Sequence, residues 1–221
     1  MGPLMQSAPF IVLEGIDGAG TTTHTARLAA TLRARELAVH ATREPSDGPI
    51  GVLLRQILTG RVVSAAPASV PTWNTLGLLF GADRLEHLEA EILPKLHQGV
   101  TVVCDRYDYS TVAYQSLSAK GHASAEVAIA WLRQVNHFAR RPDLTIVLDV
   151  PPDVARVRRM KRAGEDEIFD DDELQRALAG FYARIEQHFP EDKIVHISAD
   201  RDPEPVAADI LAAAMRAHER G

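Results

Sequence analysis

Gly15-Ile16-Asp17-Gly18-Ala19-Gly20-Thr21-Thr22 sets glycines and hydroxyls in the frame G-x-x-x-x-G-x-[ST]. That frame suits a phosphate. Glycines let the backbone curl closely, so that successive N–H groups point at one anion. A helix starting at the end of the loop adds the partial positive charge of its N-terminus. Thr22 stands where such a loop offers a hydroxyl to Mg²⁺ beside the phosphates, and Thr23 follows in the same turn. The frame commonly carries lysine before its Ser/Thr. Here that place is Thr21.

Other residues of the right chemistry stand further along. Arg43 and Arg106 each follow an apolar run, and two forked guanidiniums together suit a phosphate. Phe80 and Arg84 are four apart, hence on one helix face, as a ring stacked on a base and a donor to its carbonyl would be. Ser110 and Tyr114 share the same spacing, with Gln115 beside them. Asp105 ends an apolar run and is the better Mg²⁺ partner, directly or through water, while Glu14 is placed to order Arg43 or Arg106. Arg156, Arg158, Arg159, Lys161 and Arg162 put five cations in seven residues, before the acidic Glu165-Asp166-Glu167. Such a run is either a solvated helix face or a lid whose arginines close on phosphates.

The elements that must position these residues alternate. Phe10–Leu13, Val39–Thr42, Val100–Cys104, Leu144–Leu148 and Ile194–Ile197 read as strands. Helices are expected from about Gly20 to Arg35, over Leu53–Leu58, from Trp73 to His97 in one piece, and over Pro205–His218, with further helices between the later strands. Pro45–Pro49 and Val62–Pro71 read as loops. Apolar strands alternating with helices predict an α/β fold, three layers with a mostly parallel central sheet covered on both faces. The ligand crevice then lies at the strands' C-terminal ends.

The chain's 221 residues suit one domain, 1–221, with 1–9 as a lead-in, about 156–170 as the lid, and Met5 available as a second start. A net charge of −6 opposes general nucleic-acid binding. Cys104 is the only cysteine, which excludes an internal disulfide and a cysteine-based zinc site, and the nine histidines are scattered without ligand spacing. No run is long and apolar enough to span a membrane, and the N-terminus lacks a signal peptide. A cytoplasmic setting is expected.

From Phe10 to about Met215 the chain resembles the thymidylate kinase family. Five motifs carry the resemblance in order: FIVLEGID at Phe10–Asp17, TREP at Thr42–Pro45, LLFGADR at Leu78–Arg84, DRYxxSxxAYQ from Asp105 to Gln115, and LDVPP at Leu148–Pro152. The resemblance implies a P-loop kinase fold, ATP and Mg²⁺, dTMP as acceptor, and a homodimer. It implies that Gly15, Asp17, Gly18, Ala19, Gly20, Thr21, Thr22 and Thr23 bind the ATP phosphates. By the same resemblance Arg43 and Arg106 hold the dTMP phosphate, and Phe80 and Arg84 take thymine. Ser110, Tyr114 and Gln115 then surround base and deoxyribose, with Tyr114 where a ribose 2′-OH would sit, and Asp17 accepts the 3′-OH. Gly18 after Asp17 goes with catalytic arginines in the lid, for which Arg158 and Arg162 stand beside Arg43 and Arg106. Glu167 occupies a place where the family usually has arginine.

Thr21 leaves three arrangements open: a slow enzyme, a replacement cation among Lys161 and the lid arginines, or a loop in which the threonine hydroxyl, amides and Mg²⁺ suffice. Two other functions also stay open, a nucleotide-binding homologue without turnover and a kinase for another nucleoside monophosphate.

Overall fold

The apolar runs of the sequence pair side by side. In the computed structural model, which describes residues 8–63, 70–161 and 171–219, β1 (Phe10–Glu14), β2 (Val39–Arg43), β3 (Thr101–Asp105), β4 (Leu144–Asp149) and β5 (Ile194–Ser198) form one parallel sheet in the order β2-β3-β1-β4-β5. Every residue of β1 and β3 is buried, as strands covered on both faces must be. β2 and β5 are the edges and are only half-covered, so they tolerate His40, Thr42 and His196.

Right-handed crossovers sort the helices. α1 (Thr21–Ala34) packs with α9 (Pro203–His218) on one face. The other face carries α2 (Pro49–Leu58), α3 (Trp73–His87), α4 (Leu93–His97), α5 (Asp108–Ser118), α6 (Ala125–Val135), α7 (Pro152–Lys161) and α8 (Asp172–Tyr182). The chain leaves β1 toward one face and β3 toward the other, which opens a crevice beyond their C-terminal ends. Register makes those ends level: Leu13 and Arg43 both align with Asp105.

The helix expected from Trp73 to His97 is not continuous. Leu88–Ile92 forms a π-helical turn, in which the Leu93 N–H bonds the Leu88 carbonyl. Pro94 explains it, because proline has no N–H to give and its ring crowds the carbonyl four residues back. The helix expected from Gly20 begins at Thr21, with Gly20 as its N-cap at φ 97°, a left-handed conformation open to glycine. The lid expected over 156–170 is α7 as far as Lys161, and Arg162 and Glu167 lie outside the described residues.

Candidate active site

A cleft of about 500 Å³ occupies the crevice. It gathers Asp17, Gly18, Gly20, Thr21, Thr22 and Thr23 from the loop, and Arg43 from the end of β2. Phe80 and Arg84 reach it from α3, Asp105 and Arg106 from the end of β3, and Ser110, Tyr114 and Gln115 from α5. Arg158 and Arg159 enter from α7. Gly15 and Ala19, expected to face phosphate, do not line it. Ala19 is buried in the core, and the Gly15 carbonyl accepts from Arg106 Nη1 at 2.9 Å.

Asp17 puts a carboxylate inside an anion-binding loop, and the structure supplies its counterweight. Arg106 Nη2 donates to Oδ1 at 2.5 Å, and the Tyr114 hydroxyl donates to Oδ2 at 2.8 Å. Gln175 of α8 holds Asp17 twice: its Nε2 donates to Oδ2 at 2.9 Å and its Oε1 accepts the Asp17 N–H at 3.1 Å. The sequence gives no local signal for Gln175, which lies 158 positions away.

Arg106 adopts φ 69°, a strained conformation for a residue with a side chain. Neighbouring bonds hold it there. Its N–H reaches the Leu13 carbonyl at 2.9 Å, and the Tyr107 N–H reaches Glu14 Oε1 at 2.7 Å. Glu14 is completely buried and turns neither to Arg43 nor directly to Arg106, the two residues it was expected to order. Its Oε2 accepts from Ser110 Oγ at 2.7 Å and from the Tyr182 hydroxyl at 2.8 Å. Burial pushes its carboxyl up to about 7, against the pull of Arg106 and of these hydrogen bonds. The Ser110 hydroxyl, expected around thymine and sugar, is thus taken up by Glu14 and by Arg106 Nη1 at 3.0 Å. It positions Arg106.

Arg84 is 1 % exposed. Its Nη2 donates to Glu44 Oε2 at 2.6 Å and to Thr111 Oγ1 at 3.0 Å, and its Nη1 donates to Asn136 Oδ1 at 2.5 Å. Among the residues that line the base end of the cleft, the Arg84 Nε–H donor and the Gln115 Oε1 acceptor are buried with no hydrogen-bond partner among the described residues. Phe80 lies half-buried against Leu54, Ile57 and Leu76. Arg43 contrasts with Arg106. Its side chain is 56 % exposed and pairs with Asp47 at 2.9 Å.

At the phosphate end, Thr22 Oγ1 donates to Asp105 Oδ2 at 2.5 Å. Asp105 Oδ1 is buried without a partner among the described residues. An orphaned carboxylate oxygen beside a threonine hydroxyl fits a Mg²⁺ site, since that ion takes one or two protein ligands and completes its shell with water and phosphate. Arg158 Nη2 donates to the Ala199 carbonyl at 2.9 Å, while Arg159 Nη1 donates to the Asp17 carbonyl at 3.0 Å.

The family model for thymidylate kinase matches residues 13–210 of the chain. The chain belongs to the thymidylate kinase family. A probable thymidylate kinase of Pyrococcus horikoshii is 42% identical over 204 residues, covering 92% of this chain and 94% of the relative. One from Thermococcus kodakarensis is 41% identical over 207 residues, covering 92% and 95%. The thymidylate kinase of Thermomicrobium roseum is 38% identical over 217 residues, covering 96% and 97%. The thymidylate kinase match takes in the loop, both strand-end arginines and the residues of α3 and α5 that share the cleft. It makes the protein an ATP-dependent nucleoside monophosphate kinase.

Proposed function

We propose that the chain transfers the γ-phosphate of ATP to dTMP, giving dTDP and ADP. The observation that carries the acceptor's identity is the unpartnered pair in the cleft. Arg84 Nε–H is a donor and Gln115 Oε1 an acceptor. Thymine offers the complement, an O4 acceptor next to an N3–H donor, whereas cytosine reverses both. A buried polar group left unpaired costs about 1–3 kcal/mol, so the base that satisfies both is selected. Phe80 stacks on the ring, and Arg43 and Arg106 hold the acceptor phosphate. Tyr114, fixed by its bond to Asp17, fills the space of a ribose 2′-OH. Asp17 Oδ1 takes one hydrogen bond from Arg106 and retains lone-pair capacity for the 3′-OH.

Transfer needs positioning and charge stabilisation rather than a covalent intermediate. The loop from Asp17 to Thr23 cradles the donor phosphates, with Arg158 at their far side. Asp105 and Thr22 hold Mg²⁺, which neutralises charge between the phosphates when bound. We also infer a homodimer, supported by Leu78 and Leu85 exposed on α3 beside Val52 and Leu53 on α2, the helix that packs on it. A buried free thiol at Cys104 fits a reducing compartment such as the cytoplasm.

ADP release measured with dTMP, dUMP, dCMP and the ribose form of thymidylate tests the assignment. Turnover is expected to be greatest with dTMP and negligible with dCMP. Retained dTMP binding without dTMP-dependent ADP release would overturn the kinase reading, and equal rates with dCMP would overturn the base assignment.

A further inference from the structure

Arg84 is assigned to read the base through its Nε–H, one of the five N–H groups a guanidinium carries. Which of the five faces the cleft depends on how the group is turned in its own plane. Arg84 lies over the Tyr107 ring, its guanidinium carbon 5.0 Å from the centroid, a contact indifferent to that turn. Glu44 Oε2 and Thr111 Oγ1 both accept from Nη2, and so grip one arm only. Arginine and carboxylate frequently close a two-bond fork. The side-on fork uses Nη2 and Nε together. With Glu44 Oε1 as its second acceptor, it would take the Nε–H away from the base. Glu44 Oε1 instead faces His87 Nδ1 at 3.4 Å.

The other arm belongs to Asn136, which caps the C-terminal end of α6. Its Oδ1 accepts from Arg84 Nη1 at 2.5 Å, and its Nδ2 donates to the Leu132 carbonyl at 2.8 Å. The second bond sets the amide the right way round, with its acceptor toward the arginine. Asn136 is buried and is not among the residues that line the cleft, so it acts through Arg84. Gly81 lets the helices come this close. A Cβ there would lie 2.6 Å from Val135 Cγ1, and Gly81 and Arg84, three apart, share the face of α3 that meets α6. We propose that Asn136 is a positioning residue for base selection. By holding Nη1 it keeps the Arg84 Nε–H out of a fork with Glu44 and turned toward O4 of thymine. Asn136 stands 52 positions from Arg84 and outside the five sequence motifs.

This inference rests on the dTMP reading of the cleft. Its test compares dTMP with its 4-thio analogue, in which sulfur, a weak acceptor, replaces O4 while the N3–H stays. Calorimetric affinities for the two, measured without ATP, read the O4 contact independently of turnover. The natural protein is expected to bind dTMP about 10-fold more tightly than the analogue, the worth of one good buried hydrogen bond. Asn136→Leu, similar in size but without the acceptor, is expected to weaken dTMP about 10-fold and the analogue under ~3-fold, with ADP affinity unchanged. The preference then collapses. Asn136→Asp keeps an oxygen facing Arg84 and retains most of the preference. A merely structural role would weaken both nucleotides alike and leave their ratio. An unchanged ratio in Asn136→Leu, or an equal loss in Asn136→Asp, would overturn the inference. Should the leucine variant not fold, Asn136→Ser, too short to reach Nη1, supplies the same ratio and is judged in the same way. A natural protein that binds dTMP and the analogue alike makes no O4 contact, and the base assignment falls together with this inference. Absence of dTMP-dependent ADP release sinks the kinase reading alone, because the affinities still decide the role of Asn136.

Discussion

Glu14 should make the protein less stable as pH rises through neutrality, and replacing it with glutamine should remove that dependence. The carboxyl is fully buried, and burial lifts it from an ordinary value of 4.5 to about 7. In that window the unfolded chain carries an ionised Glu14 while the folded chain keeps it protonated. The folded state therefore binds up to one more proton, and raising the pH favours unfolding. Raising the carboxyl from 4.5 to about 7 corresponds to about 3 kcal/mol. The full contribution is present below pH 4.5, is lost progressively to about pH 7, and changes no further above that. Glu14→Gln keeps the acceptor for the Tyr107 N–H, and the Ser110 and Tyr182 hydroxyls can turn to accept from its amide. Urea titrations at pH 5, 6, 7 and 8 supply the measurement, read as the difference between the two proteins so that other titrating groups cancel. The variant is expected to gain about 3 kcal/mol on the natural protein between pH 5 and 8. Parallel curves would show that Glu14 does not titrate there, and the buried-carboxyl argument would fall.

Three further outcomes are expected. Glu44→Gln leaves the buried Arg84 guanidinium without its counter-charge and should destabilise the fold by about 3–5 kcal/mol in urea titration, provided no new partner replaces it. Gly18→Ala adds a Cβ at φ 89° that meets the Ala155 carbonyl at 2.4 Å, so ADP affinity by calorimetry should fall as loop and α7 are forced apart. Asp105→Asn should raise the Mg²⁺ concentration giving half-maximal rate while leaving the KM for dTMP nearly unchanged, because Asp105 reaches Thr22 and not the base end of the cleft.

How far the sequence reached depended on how local each signal was. The central strands are apolar runs because both their faces are covered, so β1, β3 and β4 stand out at once. The loop, Arg43 at the end of β2 and Arg106 just after β3 are legible for a related reason, since chemistry at strand ends lies next to the strand in the chain. Pro94 did carry a warning against one continuous helix, and the π turn is its consequence. What stayed hidden comes together only through packing. Gln175 meets Asp17 across 158 positions, Arg159 meets it across 142, and Tyr182 meets Glu14 across 168. No spacing rule covers such pairs. Ser110 shows the same limit, because the glutamate that takes its hydroxyl lies on another element, 96 positions away.

Those distant contacts change what the two strand-end arginines can do. By residue type Arg43 and Arg106 are equivalent, yet the fold gives them opposite mobility. Arg106 is 19 % exposed, sits on a strained backbone and spends Nη1 and Nη2 on Gly15, Ser110 and Asp17. It is therefore a preorganised donor whose remaining N–H groups face a fixed direction, and fixed donors cost little reorganisation when charge develops. Arg43 holds only Asp47, itself 73 % exposed, and a pair so wetted contributes little. Arg43 can release that partner for an incoming phosphate at small cost. On the proposed assignment the acceptor phosphate meets one rigid and one adaptable guanidinium. The rigid one is tied through Asp17 to the loop proposed to hold the donor, and that assignment couples the placement of donor and acceptor along the line of transfer.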